Sequence, residues 1–181
     1  MERNKLQKLT AVAIMIALDV VLSPLMRIEG MAPMSSVMNV LAGVLLGPVY
    51  AVIMATVCGM IRMTMLGIPP LALTGSVFGA LLAGVGYRWG GGFIWAMVGE
   101  VIGTGIIGSL CSYPVMVWFT GSSQGLYWFI YTPRFIGATL IGGTMGLMVL
   151  YKLKRLSVFK RVQELFRREN HVRLSTFISR N

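Results

Sequence analysis

Between Leu9 and Leu150 run 142 residues that carry only seven charged side chains: Asp19, Arg27, Glu29, Arg62, Arg88, Glu100 and Arg134. That block leaves too little polar surface to cover a soluble globule. Charge gathers instead at the ends. Residues 1–8 have a net charge of +2 and residues 151–181 of +7, out of a total of +10. Over the whole chain 12% of residues are charged, against about 25% in an ordinary soluble domain. A hydrophobic block between two basic ends excludes a soluble enzyme, a secreted disulfide scaffold and a disordered chain. The sequence reads as an all-α integral membrane protein.

A bilayer core requires about 20 apolar residues per helical crossing. Spans are expected at residues 8–26, 35–47, 49–66, 71–88, 93–119 and 131–152, divided at Pro33, Gly47-Pro48, Pro69-Pro70, Gly90 to Gly92 and Gly121 to Gly125. The second is short, so five spans is the rival count. Lys and Arg collect on the cytoplasmic side, and an even number of spans keeps both basic ends there. Six spans with both termini cytoplasmic is therefore the expected topology. It puts residues 27–34, 66–70 and 120–130 outside. Asp19 interrupts the first apolar run and no small-x-small cleavage site follows, so that run reads as an uncleaved helix rather than a signal peptide.

The chain divides into a transmembrane domain, residues 1–152, and a basic tail, residues 153–181. In the tail Leu156, Phe159, Val162 and Phe166 recur at helical spacing among lysines and arginines. That amphipathic pattern suits an anionic membrane surface. No recognition module surrounds it, so no nucleic-acid partner is expected. His171 stands alone, and Cys58 and Cys111 sit in apolar runs as buried thiols, so neither a metal site nor a disulfide is expected.

Gly103-Thr-Gly-Ile-Ile-Gly108 matches a dinucleotide fingerprint letter for letter. It lacks the strand before it and the acid about 20 residues after it, where Trp128 stands nearby. Its glycines make better sense as a packing face. Small residues recur four apart at Gly99/Gly103, Ala51/Ala55/Gly59, Gly75/Gly79/Ala83 and Ala138/Gly142/Gly146, which lets membrane helices approach closely.

Polar groups inside spans are costly and usually face a partner or a cavity. Asn39, Arg62, Ser76, Glu100, Thr104 and Tyr113 are the candidate lining of a small ligand site, with Trp128 from the outer aromatic cluster. The alternative is structural: an ion pair between Glu100 and Arg62, and an interfacial belt of Tyr113, Trp118, Tyr127, Trp128 and Tyr131. No nucleophile–base pair, metal cluster or phosphate loop is present, so no catalytic residues and no cofactor are expected.

Three stretches carry a family resemblance: Asn39-Val-Leu-Ala-Gly-Val-Leu-Leu-Gly-Pro48, Gly75-Ser-Val-Phe-Gly-Ala-Leu-Leu-Ala-Gly84, and Gly99-Glu-Val-Ile-Gly-Thr-Gly-Ile-Ile-Gly-Ser-Leu110 followed by Ser112-Tyr-Pro114. With Ala13-x-x-x-Ala17 they resemble the substrate-binding S component of an energy-coupling factor transporter, of the ThiW, thiazole-specific type. Ser35-Ser36 and Leu73-Thr-Gly-Ser76 stand where that pattern has a Gln-His-like pair and Phe-Pro-Gly-Ser. The resemblance implies a bundle of that S-component kind in a bacterial cell membrane. It implies capture of hydroxyethylthiazole, the thiazole half of thiamine, at the outer face. It also implies docking through Ala13 and Ala17 on a transmembrane coupling protein driven by two cytoplasmic ATPases. An S component for another small vitamin, a membrane enzyme acting through Glu100, and an anchor presenting the basic tail are the competing readings.

Overall fold

The computed structural model describes residues 2–26, 32–123, 125 and 127–166; Arg27, Glu29, His171 and the end of the basic tail lie outside the described residues. Within them every regular element is helical: α1 (Glu2–Leu25), α2 (Pro33–Leu45), α3 (Pro48–Leu66), α4 (Leu71–Gly90), α5 (Phe93–Glu100), a π-helical run (Val101–Gly108), α6 (Ser109–Thr120) and α7 (Thr132–Leu153). A further helical stretch covers residues 157–166.

The breakers act where the sequence places them. Pro33 and Pro48 open α2 and α3 at the position where a missing N–H costs nothing. Gly67 (φ 60°) and Gly91 (φ 66°) close α3 and α4 in the left-handed region. Five helices are long and apolar enough to cross a membrane: α1, α3, α4, the continuous Phe93–Thr120 rod, and α7. The second expected span is the exception. At 13 residues α2 is about 20 Å long, short of the roughly 30 Å hydrocarbon core. Nearly all of it is buried, from Pro33 to Val44, because α7, α4, α1, α3 and α5 surround it.

Glycine seams hold the bundle together. A Cβ on Gly103 would meet the Phe78 carbonyl oxygen, one on Gly99 that of Leu82, and one on Gly142 that of Pro33, all inside contact distance. The fingerprint-like glycines are thus packing surfaces of the Phe93–Thr120 rod, Gly103 and Gly108 against α4 and Gly105 against α7. Large apolar side chains point outward instead, among them Ile14, Ile53, Met65, Ile94, Ile102 and Met148, as expected of a surface that meets lipid. Trp89 at one end and Trp118 and Tyr127 at the other are exposed, which suits headgroup-level belts.

At the end where α2 finishes and α3 begins, the 157–166 helix folds back on the bundle. Phe159 and Phe166 are buried in the main core. Gln163 donates to the Val44 carbonyl at 3.1 Å and to the Tyr87 hydroxyl at 3.0 Å. The Lys8 ammonium lies 5.7 Å from the Phe166 ring. Three of the four apolar tail positions thus face protein: Val162 joins the two phenylalanines, while Leu156 stays exposed.

Candidate functional site

At the opposite end, where α2, α4 and α7 start and α3 finishes, the helices part around a cavity of about 130 Å³. Pro33 and Pro133 set the first turns of α2 and α7, and the Pro69-Pro70 corner turns the chain into α4. Asn39, Arg62, Ser76 and Thr104 all line this cavity. Four of the seven candidates, drawn from four segments, therefore converge on one space.

Glu100 lies behind that lining, fully buried, and is tied to it by two hydrogen bonds. Asn39 Nδ2 donates to Glu100 Oε1 at 3.2 Å, and Thr104 Oγ1 to the same oxygen at 2.9 Å. Thr104 also sits 2.9 Å from the Gly75 carbonyl, and its one hydroxyl proton serves only one acceptor at a time. Glu100 Oε2, Asn39 Oδ1 and Arg62 Nε have no hydrogen-bond partner among the described residues. Buried polar atoms are normally satisfied, so this site carries acceptors and a donor in reserve. Arg62 Nη1 donates to Ser35 Oγ at 3.3 Å. Glu100 and Arg62 are thus held by different partners rather than by each other.

Gly79 leaves room for this arrangement: a Cβ there would overlap Thr104 Oγ1 and Glu100 Oε2. The π-helical run is the other local cause. Its wider winding carries Thr104 and begins at the residue after Glu100; π-helical turns inside α-helices often mark functional sites.

Tyr113 and Trp128 are placed elsewhere. Their rings pack on each other at a tilt of 39°, centroids 4.7 Å apart, and neither lines the cavity. The aromatic wall comes from Tyr131 and Phe135 of the α7 start, with Arg134 between them at the mouth. Ser35, Ser36, Ile68 and Ala138 complete the polar and apolar lining. Of these, Tyr131 and the serine pair drew attention in the sequence, and Ala138 did so as part of a small-residue seam. Arg134 was visible as a rare charge near a span end; Phe135 carried no signal.

Ala13 and Ala17 are exposed on α1 and line an open apolar groove with Ile16, Val20, Val21 and Ile61. Cys58 is buried, whereas Cys111 is only half-buried.

Residues 9–156 match the family model of the thiamine-precursor transporter protein, ThiW. The chain belongs to the ThiW family. No curated protein and no solved structure matches it. As a ThiW chain it is a multi-pass membrane protein of a transporter family for a thiamine precursor, and the cavity is its candidate ligand site.

Proposed function

We propose that this ThiW chain is the substrate-capturing S component of an energy-coupling factor importer, with hydroxyethylthiazole as its ligand. The observation that carries the reading is the cavity: one small space combining an aromatic wall with unsatisfied polar atoms. Ligand pockets combine mostly apolar walls with a few placed polar groups. At about 130 Å³ it is well below the roughly 300–1,000 Å³ typical for drug-sized ligands. That size favours one five-membered ring with short substituents over intact thiamine. Tyr131 and Phe135 face the ring. Arg62 offers a donor to the ring nitrogen or the hydroxyl oxygen, and Asn39, held from behind by Glu100, offers its unpartnered Oδ1 to the hydroxyl proton.

In this reading all six hydrophobic segments belong to one transmembrane unit with both termini in the cytoplasm of a bacterial cell. The cavity lies at the end away from both basic segments and so opens outward. The subunit binds without chemical turnover. A coupling protein reaches it through the Ala13/Ala17 groove, and two ATPases supply the energy. Equilibrium binding of tritiated hydroxyethylthiazole to the purified protein tests the assignment. Saturable binding with the ligand recovered unchanged is the expected result. A product would make the chain an enzyme, and no binding would return it to the anchor reading.

A further inference from the structure

We propose that Arg62 and Arg134 make the cavity selective for a ring nitrogen that keeps its lone pair, so that it admits an uncharged thiazole and refuses a quaternary thiazolium such as that of intact thiamine. The proposal rests on the reading that the cavity holds a thiazole, and adds that charge as well as size sets what enters.

The lining fixes the sign of the charge that a ligand meets. Among the described residues that form the wall, Arg62 and Arg134 are cationic and none is acidic. Arg62 stands inside, near the end of α3, with 3% of its surface exposed. Arg134 is exposed in the first turn of α7, at the mouth. An entering molecule therefore passes one guanidinium and comes to rest against another. The buried acids do not reverse this. Glu100 lies behind Asn39 and Thr104, which donate to its Oε1, and Asp19 of α1 is no part of the wall. Their pull on a cation acts from farther off than the guanidiniums, and Coulomb energy falls with distance.

The hydrogen-bonding inventory points the same way. Ser76 already donates to the Ala72 carbonyl at 2.9 Å, and Ser35 accepts from Arg62 at 3.3 Å. Of the wall's buried polar side-chain atoms, two have no partner among the described residues: Arg62 Nε, a donor, and Asn39 Oδ1, an acceptor. Hydroxyethylthiazole supplies the complement, an acceptor nitrogen and a donor hydroxyl. Alkylation of that nitrogen removes the acceptor and leaves Nε buried and unmatched, which is unfavourable. It also sets a positive charge against a guanidinium, a group that only donates. The faces of Tyr131 and Phe135 would attract a cation. That attraction is weaker than the repulsion between two unit charges in a buried space.

The test displaces tritiated hydroxyethylthiazole from the full-length protein in lipid nanodiscs with two unlabelled competitors. One is the N-methyl thiazolium salt of the same alcohol. The other is a neutral derivative with its extra methyl on the ring carbon between nitrogen and sulfur, which adds the same volume without charge. In the wild type the neutral derivative should bind at least about 100-fold more tightly than the salt. Arg62→Gln should weaken thiazole binding and narrow that ratio about tenfold or more. Arg62→Lys keeps the charge but loses the planar fork, so it should weaken the thiazole and leave the ratio in place. Arg134→Gln should narrow the ratio less, and raised salt should mimic it, because an exposed charge is screened. It decides the matter if Arg62→Gln misfolds or binds nothing. Where the tracer no longer binds a variant, both competitors are titrated directly. A salt that competes as well as the neutral derivative, a neutral derivative excluded as strongly as the salt, or a ratio unmoved by the deciding variant would each overturn the proposal. If the tritiated thiazole fails to bind the wild type, the ligand assignment falls and the selectivity with it. If the thiazole binds and the salt competes equally, the assignment stands and only the selectivity falls.

Discussion

Glu100 is the side chain whose surroundings are hardest to explain without a ligand. It is enclosed, shares Oε1 between Asn39 and Thr104, and leaves Oε2 unpartnered. Glu100→Gln keeps the shape and removes the carboxylate. Because Glu100 accepts from Asn39 and Thr104, both on the cavity wall, and a hydrogen bond to a charged group contributes about 1.5–3 kcal/mol, loosening that wall should weaken thiazole binding about tenfold or more with the melting temperature preserved. Unchanged affinity with a lower melting temperature would make Glu100 a structural residue. Two aromatic substitutions separate the rings that line the cavity from those that do not: Tyr131→Ala should weaken binding, while Tyr113→Ala, which removes the partner of Trp128, should leave it near wild type in the same titration. The sequence disclosed Asn39, Arg62, Ser76, Glu100 and Thr104 because polar groups in hydrocarbon are rare and costly. It could not sort the aromatics. A tyrosine near a span end satisfies an interfacial belt and a pocket wall equally well, and only the pairing of Tyr113 with Trp128 against the placement of Tyr131 tells them apart.

Among the elements, the Phe93–Thr120 rod shows most plainly where hydropathy stops being informative. Its limits follow from the glycine run before it and Gly121 after it. The π-helical run inside it has no such mark, since Val-Ile-Gly-Thr-Gly-Ile-Ile-Gly has the composition of any buried membrane helix. The shortness of α2 was visible, but its enclosure by neighbours depended on contacts from distant segments. Gly103→Leu should drive a side chain into the Phe78 carbonyl, and overpacking of this sort typically costs about 1–3 kcal/mol. A markedly lower melting temperature is the expected readout. On α1 the opposite holds, because Ala13 and Ala17 have open space before them. Replacing both with leucine should leave folding and thiazole binding intact while ATP-driven uptake and co-purification with the coupling protein disappear. A collapse of folding would show that the face is internal.

Taken whole, the molecule puts its candidate ligand space at one end and its basic segments at the other. The aromatic wall of Tyr131 and Phe135 predicts a competition order: unlabelled thiazole alcohol should displace the tritiated ligand, and the amino-pyrimidine half of thiamine should do so poorly, its more polar ring being costlier to desolvate against that wall. Equal competition would contradict the thiazole assignment. That sided distribution of charge was plain from the two basic ends, whereas the seating of Phe159 and Phe166 against the bundle was hidden, since the same amphipathic stripe would serve a lipid surface. The glycine seams have a further consequence, for the history of such a chain. Where backbone touches backbone, every replacement is larger than the original and is selected against. Outward positions tolerate exchange among apolar residues, and the cavity wall is built mostly from side chains that the seams do not use. Inherited variation is thereby steered away from the scaffold and into the lining, so a chain of this architecture can change what it carries without relearning how to fold.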